Sequence, residues 1–190
     1  MRRNPWEGLE KLKPKRLSKR QEQYWEVLMF LVRLIILSLP LYILLYVPGV
    51  LSTLQIWTAN ATALLLHVMG FPVVQDGAWI TINYADKPFT FIISEDCTGW
   101  KSITLLFALI FAFKSALLKS RLAGLLTGTV IILVGNMARI LGVVYAERVW
   151  GDVYAMLLHD WLFRYGLALL VLGIWVFWMV YLNKKFKSKT

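Results

Sequence analysis

The sequence predicts an all-α integral membrane helical bundle, and three observations support this fold class. Of the 190 residues, 58% are hydrophobic, and the mean hydropathy is +0.60. Charged side chains are missing from two long stretches, 34–75 and 165–183. Such stretches suffice for crossing a bilayer, since a spanning helix needs roughly 20 predominantly apolar residues. Clusters of Lys and Arg flank the apolar stretches, as is typical of cytoplasmic segments.

Four apolar segments are predicted to be transmembrane helices: 27–50, 98–118, 122–146 and 153–183. The length of the chain indicates one compact bundle rather than two domains. We therefore predict a basic cytoplasmic N-terminal segment over 1–26, a single membrane-embedded catalytic domain over 27–183, and a basic cytoplasmic tail over 184–190.

The stretch 51–74 is uncharged and long enough to cross, so its topology depends on the charges around it. If it crossed, the basic loop 114–121 and the C-terminal tail would lie on the opposite side from the basic N-terminus. If it does not cross, all three basic clusters are cytoplasmic, as the distribution of Lys and Arg favours. We therefore predict a re-entrant or interfacial helix on the outer side of a multi-pass cell-membrane protein.

The region after this helix has a different pattern. Apolar and polar residues alternate in 78–83 and in part of 89–94, which predicts a small β-hairpin. The loop 75–96 carries four acidic residues against one Lys87, so its charge fits an external location.

The charge and the cysteine count exclude several function classes. A formal net charge of +10 is compatible with nucleic-acid binding, but the basic clusters border apolar spans, which favours anionic lipid headgroups as partners. The single cysteine, Cys97, cannot form an intramolecular disulfide. Together with His67 and His159 it supplies too few ligands for a zinc site. We predict no cofactor and no nucleic-acid partner.

Three reactive side chains are predicted to lie at similar depth in the membrane. At about 1.5 Å per helical residue, Cys97 lies roughly 25–33 Å from the inner basic loop. Arg139 lies roughly 27 Å from Arg121, and His159 lies roughly 37 Å from Lys184, a distance that helix tilt reduces. Because the three come from three different spans, a bundle can bring them together near the outer face.

These groups form a plausible nucleophilic site. A thiol attacks effectively only as thiolate, which a helix N-terminus favours and the neighbouring Glu95 and Asp96 oppose. Arg139 would supply the cation that stabilises a thiolate or an oxyanion, and His159 would move the proton. In the alternative interpretation each residue has a structural role of its own. Cys97 packs inertly, Arg139 snorkels to the interface, and His159 is a solvated side chain.

Two short motifs resemble those of the exosortase/archaeosortase family. The segment 95–102, Glu-Asp-Cys-Thr-Gly-Trp-Lys-Ser, is similar to that family's nucleophile motif, a Cys-(Ser/Thr)-Gly at the start of a membrane helix. The segment 136–140, Asn-Met-Ala-Arg-Ile, is similar to its Asn-x-x-Arg element in the next span. His159, in the last span, occupies the place of the family's His. The resemblance covers about 27–183.

The resemblance implies a membrane-embedded cysteine peptidase-transpeptidase. Such an enzyme cuts membrane-anchored surface proteins at a C-terminal sorting signal and passes them to a lipid or another acceptor. By this resemblance Cys97 is the nucleophile, Arg139 the electrostatic stabiliser and His159 the general acid/base. Some archaeal members have a basic residue in place of His, so Arg164 is a second candidate for the third role. Pairing of Arg164 with Asp160, four residues earlier, is the structural alternative.

Two further polar residues are candidates for supporting roles. Asn136 lies one turn before Arg139 and would either orient it or form an interhelical hydrogen bond. Ser102 would either donate to an oxyanion or bond back to its own helix.

Two rival functions remain open from the sequence. In a non-enzymatic membrane subunit or small transporter, Arg139 would form a buried ion pair with Asp160 or Glu147. Another membrane enzyme, such as an acyltransferase, would transfer lipid acyl groups without cutting a polypeptide. The recognition motif, the acceptor and the oligomeric state are not predicted.

Overall fold

The computed structural model describes residues 8, 12–14, 18–84, 88–113, 116–161 and 165–182. It is mostly helical, with one small sheet. In chain order the elements are α1 (Lys19–Leu45), α2 (Val50–Val68), β1 (Val73–Asp76), β2 (Trp79–Asn83), β3 (Pro88–Ile92), a 3₁₀ turn (Glu95–Thr98), α3 (Trp100–Ala112), α4 (Leu118–Trp150), α5 (Asp152–Trp161), α6 (Leu167–Phe177) and a π turn (Trp178–Leu182). The predicted N-terminal segment 1–26 lies only partly within the described residues, and the predicted tail 184–190 lies outside them.

Helix α1 begins well before the apolar run that predicted it. Ser18 caps it: the Ser18 N–H donates to Gln21 Oε1 at 2.9 Å, and the Gln21 N–H donates to Ser18 Oγ at 3.4 Å. This reciprocal capping box satisfies backbone donors that a helix start leaves open. The first helix therefore runs over 27 residues, starting eight residues before the predicted span 27–50.

Two helices of the described chain are long and apolar enough to span a membrane, within Lys19–Ile43 and Leu118–Trp150. The helical segments Trp100–Ala112 and Leu167–Tyr181 are apolar but shorter. By this criterion of length and hydropathy, the structure does not confirm the prediction of four full-length spans. The span predicted over 98–118 is a helix of 13 residues, about 20 Å long, because a turn occupies its start and the chain leaves the helix at Phe113.

Helix α2 occupies most of the ambiguous stretch 51–74. It follows Gly49, which has a left-handed φ of 89°. Its buried residues pack toward the sheet and α4: Ala59, Ala63 and Leu66 belong to one core cluster with Ile80, Ile82 and Ile93. It is not among the helices apolar enough to span, and its predicted re-entrant or interfacial position stays a prediction.

The sheet has three antiparallel strands in the order β1-β2-β3. The two segments predicted to form a hairpin correspond to β2 and β3, which pair with Ile80 opposite Phe91 and Ile82 opposite Phe89. The additional strand β1 was not predicted, because its four residues, VVQD, are too few to show an alternating pattern.

A second core cluster joins α3, α4 and α6. Its buried residues are Leu106, Leu109, Ile110, Ile132, Val171, Ile174 and Trp178. The Trp178 indole N–H donates to the Ser120 carbonyl at 2.8 Å, which fixes the chain after α6 against the start of α4. Gly124 and Gly128 let these helices approach closely, as small residues four apart do in membrane bundles. This packing holds α3 and α4 side by side.

Candidate active site

Cys97 lies in a tight turn between the sheet and α3. The 3₁₀ turn Glu95–Thr98 follows β3, and within it the Cys97 N–H donates to the Ser94 carbonyl at 2.9 Å. Gly99 then adopts a φ of 80°, a left-handed conformation that glycine tolerates at little cost. The helix therefore begins at Trp100, two residues after the start of the predicted span 98–118.

The structure brings Cys97 and Arg139 together. Both are buried, each with 8% of its surface exposed. The Arg139 guanidinium lies close enough to the Cys97 sulfur to interact with it electrostatically. They share a cavity of about 110 Å³. Its other lining residues are Phe89, Phe91, Ile92, Ile93, Ile140, Val143 and Val144. A thiol and a permanent cation thus meet in a small, otherwise apolar cavity.

Two further polar side chains bond to Cys97. Ser94 Oγ donates to Cys97 Sγ at 3.2 Å. Asn136, which is fully buried on α4, donates from Nδ2 to the Cys97 carbonyl at 2.6 Å. This bond joins α4 to the backbone of the turn that carries Cys97.

One acidic neighbour of Cys97 has a cationic partner, and the other is exposed. Asp96 Oδ1 forms an ion pair with Lys101 Nζ at 2.5 Å, on the first turn of α3. Glu95 is exposed, while Cys97 is buried. Lys101 therefore partly offsets the negative charge of Asp96.

The structure describes the other predicted site residues only in part. His159 lies on α5, which packs against α4, but its side chain is outside the described part of the structure. Arg164 lies outside the described residues altogether, as does the side chain of Asp160. Ser102 lies on the first turn of α3, where its N–H donates to the Gly99 carbonyl at 3.1 Å. No hydrogen bond joins Ser102 to Cys97 in the described residues.

A known protein family matches most of the chain. Residues 19–182 match the family model described as transmembrane exosortase. The chain belongs to the transmembrane exosortase family. No curated protein and no solved structure matches this exosortase. The match extends from the start of α1 to the end of the π turn, so every element of the exosortase fold described above lies within the family region.

The site of this exosortase also includes residues that sequence reasoning missed. Ser94 contacts the thiol, and Phe89 and Phe91 form a wall of its cavity, with ring centroids 5.5 Å apart. A Ser three residues before a Cys at a strand end is a weak signal for a turn. The sequence shows the alternation of Phe89 and Phe91. It does not show that this face of the strand is turned toward Cys97.

Proposed function

We propose that this exosortase is a cysteine peptidase and transpeptidase, resembling archaeosortases, that cleaves a C-terminal sorting signal of membrane-anchored surface proteins. The cleaved proteins would pass to a lipid or another acceptor. The observation that carries the proposal is that Arg139 and Cys97 line one cavity, where the guanidinium interacts electrostatically with the sulfur. Family membership supports the same class of activity. A buried Arg is costly within a membrane helix, which argues for a functional partner.

The reaction would proceed through a thioester. The Cys97 sulfur attacks the scissile carbonyl carbon, and a new carbon–sulfur bond forms while the carbonyl oxygen takes up negative charge. The carbon–nitrogen bond then breaks, and the released amine takes up a proton. A nucleophilic group of the acceptor next attacks the thioester and releases the thiol, so that no net redox change occurs.

Each charged group has a role in these steps. Arg139 would stabilise the thiolate before the attack and the oxyanion after it, because a fixed cation costs no reorganisation during the reaction. His159 would accept the thiol proton and donate a proton to the leaving amine. Arg164 is the alternative for the third role. The side chains of both residues lie outside the described structure.

We further propose that both termini face the cytoplasm and that the site lies at the outer membrane face. The basic residues at both ends of the sequence support this orientation. The sheet that leads to Cys97 would then lie outside the bilayer, where a substrate segment next to its own transmembrane helix can reach the thiol.

The test is processing of surface proteins in the native host. Cells that carry Cys97→Ala should accumulate membrane proteins with uncut C-terminal signals, identified by mass spectrometry of their C-terminal peptides. Cys97→Ser, which keeps the shape of the side chain, should leave little processing because a hydroxyl is a much weaker nucleophile than a thiolate. Normal processing in Cys97→Ala cells would refute the proposal and favour a non-enzymatic subunit.

A further inference from the structure

The strand that leads to Cys97 is an edge strand of the sheet. In the described structure β3 pairs with β2 alone. The ladder continues one residue beyond β3, where the Ile93 N–H donates to the Ala78 carbonyl at 2.9 Å. The direction of this bond fixes which backbone groups of β3 face β2.

Hydrogen-bonded and non-hydrogen-bonded residue pairs alternate along an antiparallel ladder. Because Ile93 bonds to β2, the backbone groups of Phe91 and Phe89 also face β2. Those of Thr90 and Ile92 therefore point away from the sheet. The outer edge of β3 thus offers two N–H donors and two carbonyl acceptors, spaced as an extended peptide requires.

This edge continues into the site. Thr90 is exposed, and Ile92 keeps 45% of its surface exposed while also lining the cavity that contains Cys97 and Arg139. The cavity is apolar apart from those two side chains. A chain paired with the β3 edge would therefore run toward the thiol with an apolar cavity beside it.

We infer that the substrate binds as an added β-strand on the outer edge of β3, with an apolar side chain in the cavity beside Cys97. The occupant is an extended peptide, because only main-chain groups match the alternating donors and acceptors of Thr90 and Ile92. The inference rests on the proposed role of Cys97 as nucleophile. It adds a recognition mode: backbone pairing supplies affinity, and the cavity selects an apolar side chain.

The experiment uses the full-length protein in detergent and a peptide probe. The probe is a mixture of acetylated tetrapeptide chloromethyl ketones built from Ala, Val, Leu and Phe. The Cys97 sulfur displaces chloride from the probe, forms a thioether and releases its proton. Chloroacetamide reacts by the same displacement but has no peptide to pair with β3. Adducts at Cys97 are followed over time by mass spectrometry.

Proline variants test the pairing directly. Thr90→Pro removes an outward N–H without removing a ladder bond, which an edge strand tolerates. Val73→Pro is the matched control: the Asn83 N–H donates to the Pro72 carbonyl, so by the same alternation the Val73 N–H points outward from the opposite edge. We expect Thr90→Pro to slow peptide labelling about tenfold, the effect of a lost hydrogen bond. Chloroacetamide labelling should not change, and Val73→Pro should match the wild type with both reagents.

A second measurement leaves the protein unaltered. N-methylation of the probe's amide nitrogens should slow its reaction with wild-type protein by a similar factor, even if a proline variant fails to fold. Strand addition is overturned if the peptide labels Cys97 no faster than chloroacetamide, or if N-methylation has no effect. Either result leaves the proposed nucleophile standing, because chloroacetamide still reports on Cys97. Loss of the nucleophile would show instead as normal surface-protein processing in Cys97→Ala cells.

Discussion

Asn136 connects helix α4 to the turn that carries the Cys97 thiol. Its Nδ2 donates to the Cys97 carbonyl at 2.6 Å, and the side chain is fully buried. Arg139 follows Asn136 by about one helical turn. One helix therefore holds the backbone of the thiol residue and supplies the cation beside it.

Asn136→Ala should impair both stability and the reactivity of Cys97. It leaves the buried Cys97 carbonyl without its donor, at a cost of about 1–3 kcal/mol. The thiol would also be held less firmly beside Arg139, so chloroacetamide labelling should slow. Trp178→Phe is the control, because it removes the bond to the Ser120 carbonyl in the other core cluster. It should lower the melting temperature without slowing the labelling; equal slowing in both variants would reduce Asn136 to a general stabilising residue.

Ser94→Ala should lower the reactivity of Cys97 with little loss of stability. Ser94 Oγ donates to the sulfur at 3.2 Å, and this bond strengthens when the sulfur carries negative charge. Its loss should slow labelling by about two- to tenfold. Thr98→Val is the control, because it removes the neighbouring bond from Thr98 Oγ1 to the Glu95 carbonyl, which does not touch the sulfur. A Ser94→Ala protein that reacts at the wild-type rate would contradict this role.

Arg139→Lys should not be a conservative change. Lysine keeps the charge but lacks the planar set of donors, so it cannot reproduce the geometry of the guanidinium beside the sulfur. We expect roughly 10- to 100-fold slower labelling of Cys97, the range for a hydrogen bond to a charged group. Arg148→Lys, also on α4, is the control, since Arg148 stacks on the Tyr84 ring and does not line the cavity. Similar rates for both variants would argue against a specific role of the guanidinium.

The sequence allowed prediction of the meeting of Cys97 and Arg139, because position along a helix converts directly into depth in a membrane. It did not allow prediction of Ser94 or the Phe89 and Phe91 wall. These contacts depend on the path of the chain between strand and helix, where no periodic pattern constrains the turn. The motif resemblance, by contrast, needed no geometry, and the family match over 19–182 confirms it.

The count of transmembrane helices was the least predictable part of the fold. Hydropathy shows where a segment is apolar but not where its helix ends. The turn at Glu95–Thr98 and the exit at Phe113 shorten the predicted span 98–118 from both ends. The start of α1 shows the opposite case, since the capping Ser18 lies in a polar region that hydropathy alone assigns to the N-terminal segment 1–26.

Gly124→Ala should destabilise the bundle. A Cβ at this position would overlap the Trp178 indole, which is buried and held by its bond to the Ser120 carbonyl, so the ring cannot easily move. Overpacking of this kind costs about 1–3 kcal/mol, and the melting temperature should fall by several degrees. Gly142→Ala is the matched control on the same helix, because nothing lies within 4 Å of its added Cβ. It should leave the melting temperature unchanged or raise it slightly, since alanine favours helix more than glycine does.

The pH dependence of stability should report on Tyr84, which follows β2 and packs beneath Arg148 at 4.6 Å from the ring centroid. Burial raises the pKa of the Tyr84 phenol above its ordinary value, Glu147 raises that pKa further, and Arg148 opposes the shift. A pKa that is higher in the folded state means that the protonated phenol favours folding. This contribution is present below about pH 10 and is lost as the pH rises through the folded-state pKa.

Melting temperatures measured in detergent between about pH 8 and pH 11 test this effect. This range includes pH values below and above the reference tyrosine pKa of about 10. The wild-type melting temperature should fall more steeply at the alkaline end than that of Tyr84→Phe, which has no proton to lose. Tyr24→Phe, at an exposed position on α1, should follow the wild-type curve. If the wild-type and Tyr84→Phe curves stay parallel to pH 11, the phenol does not couple to folding. The contact between the end of β2 and α4 would then be held by ring packing against Arg148 alone.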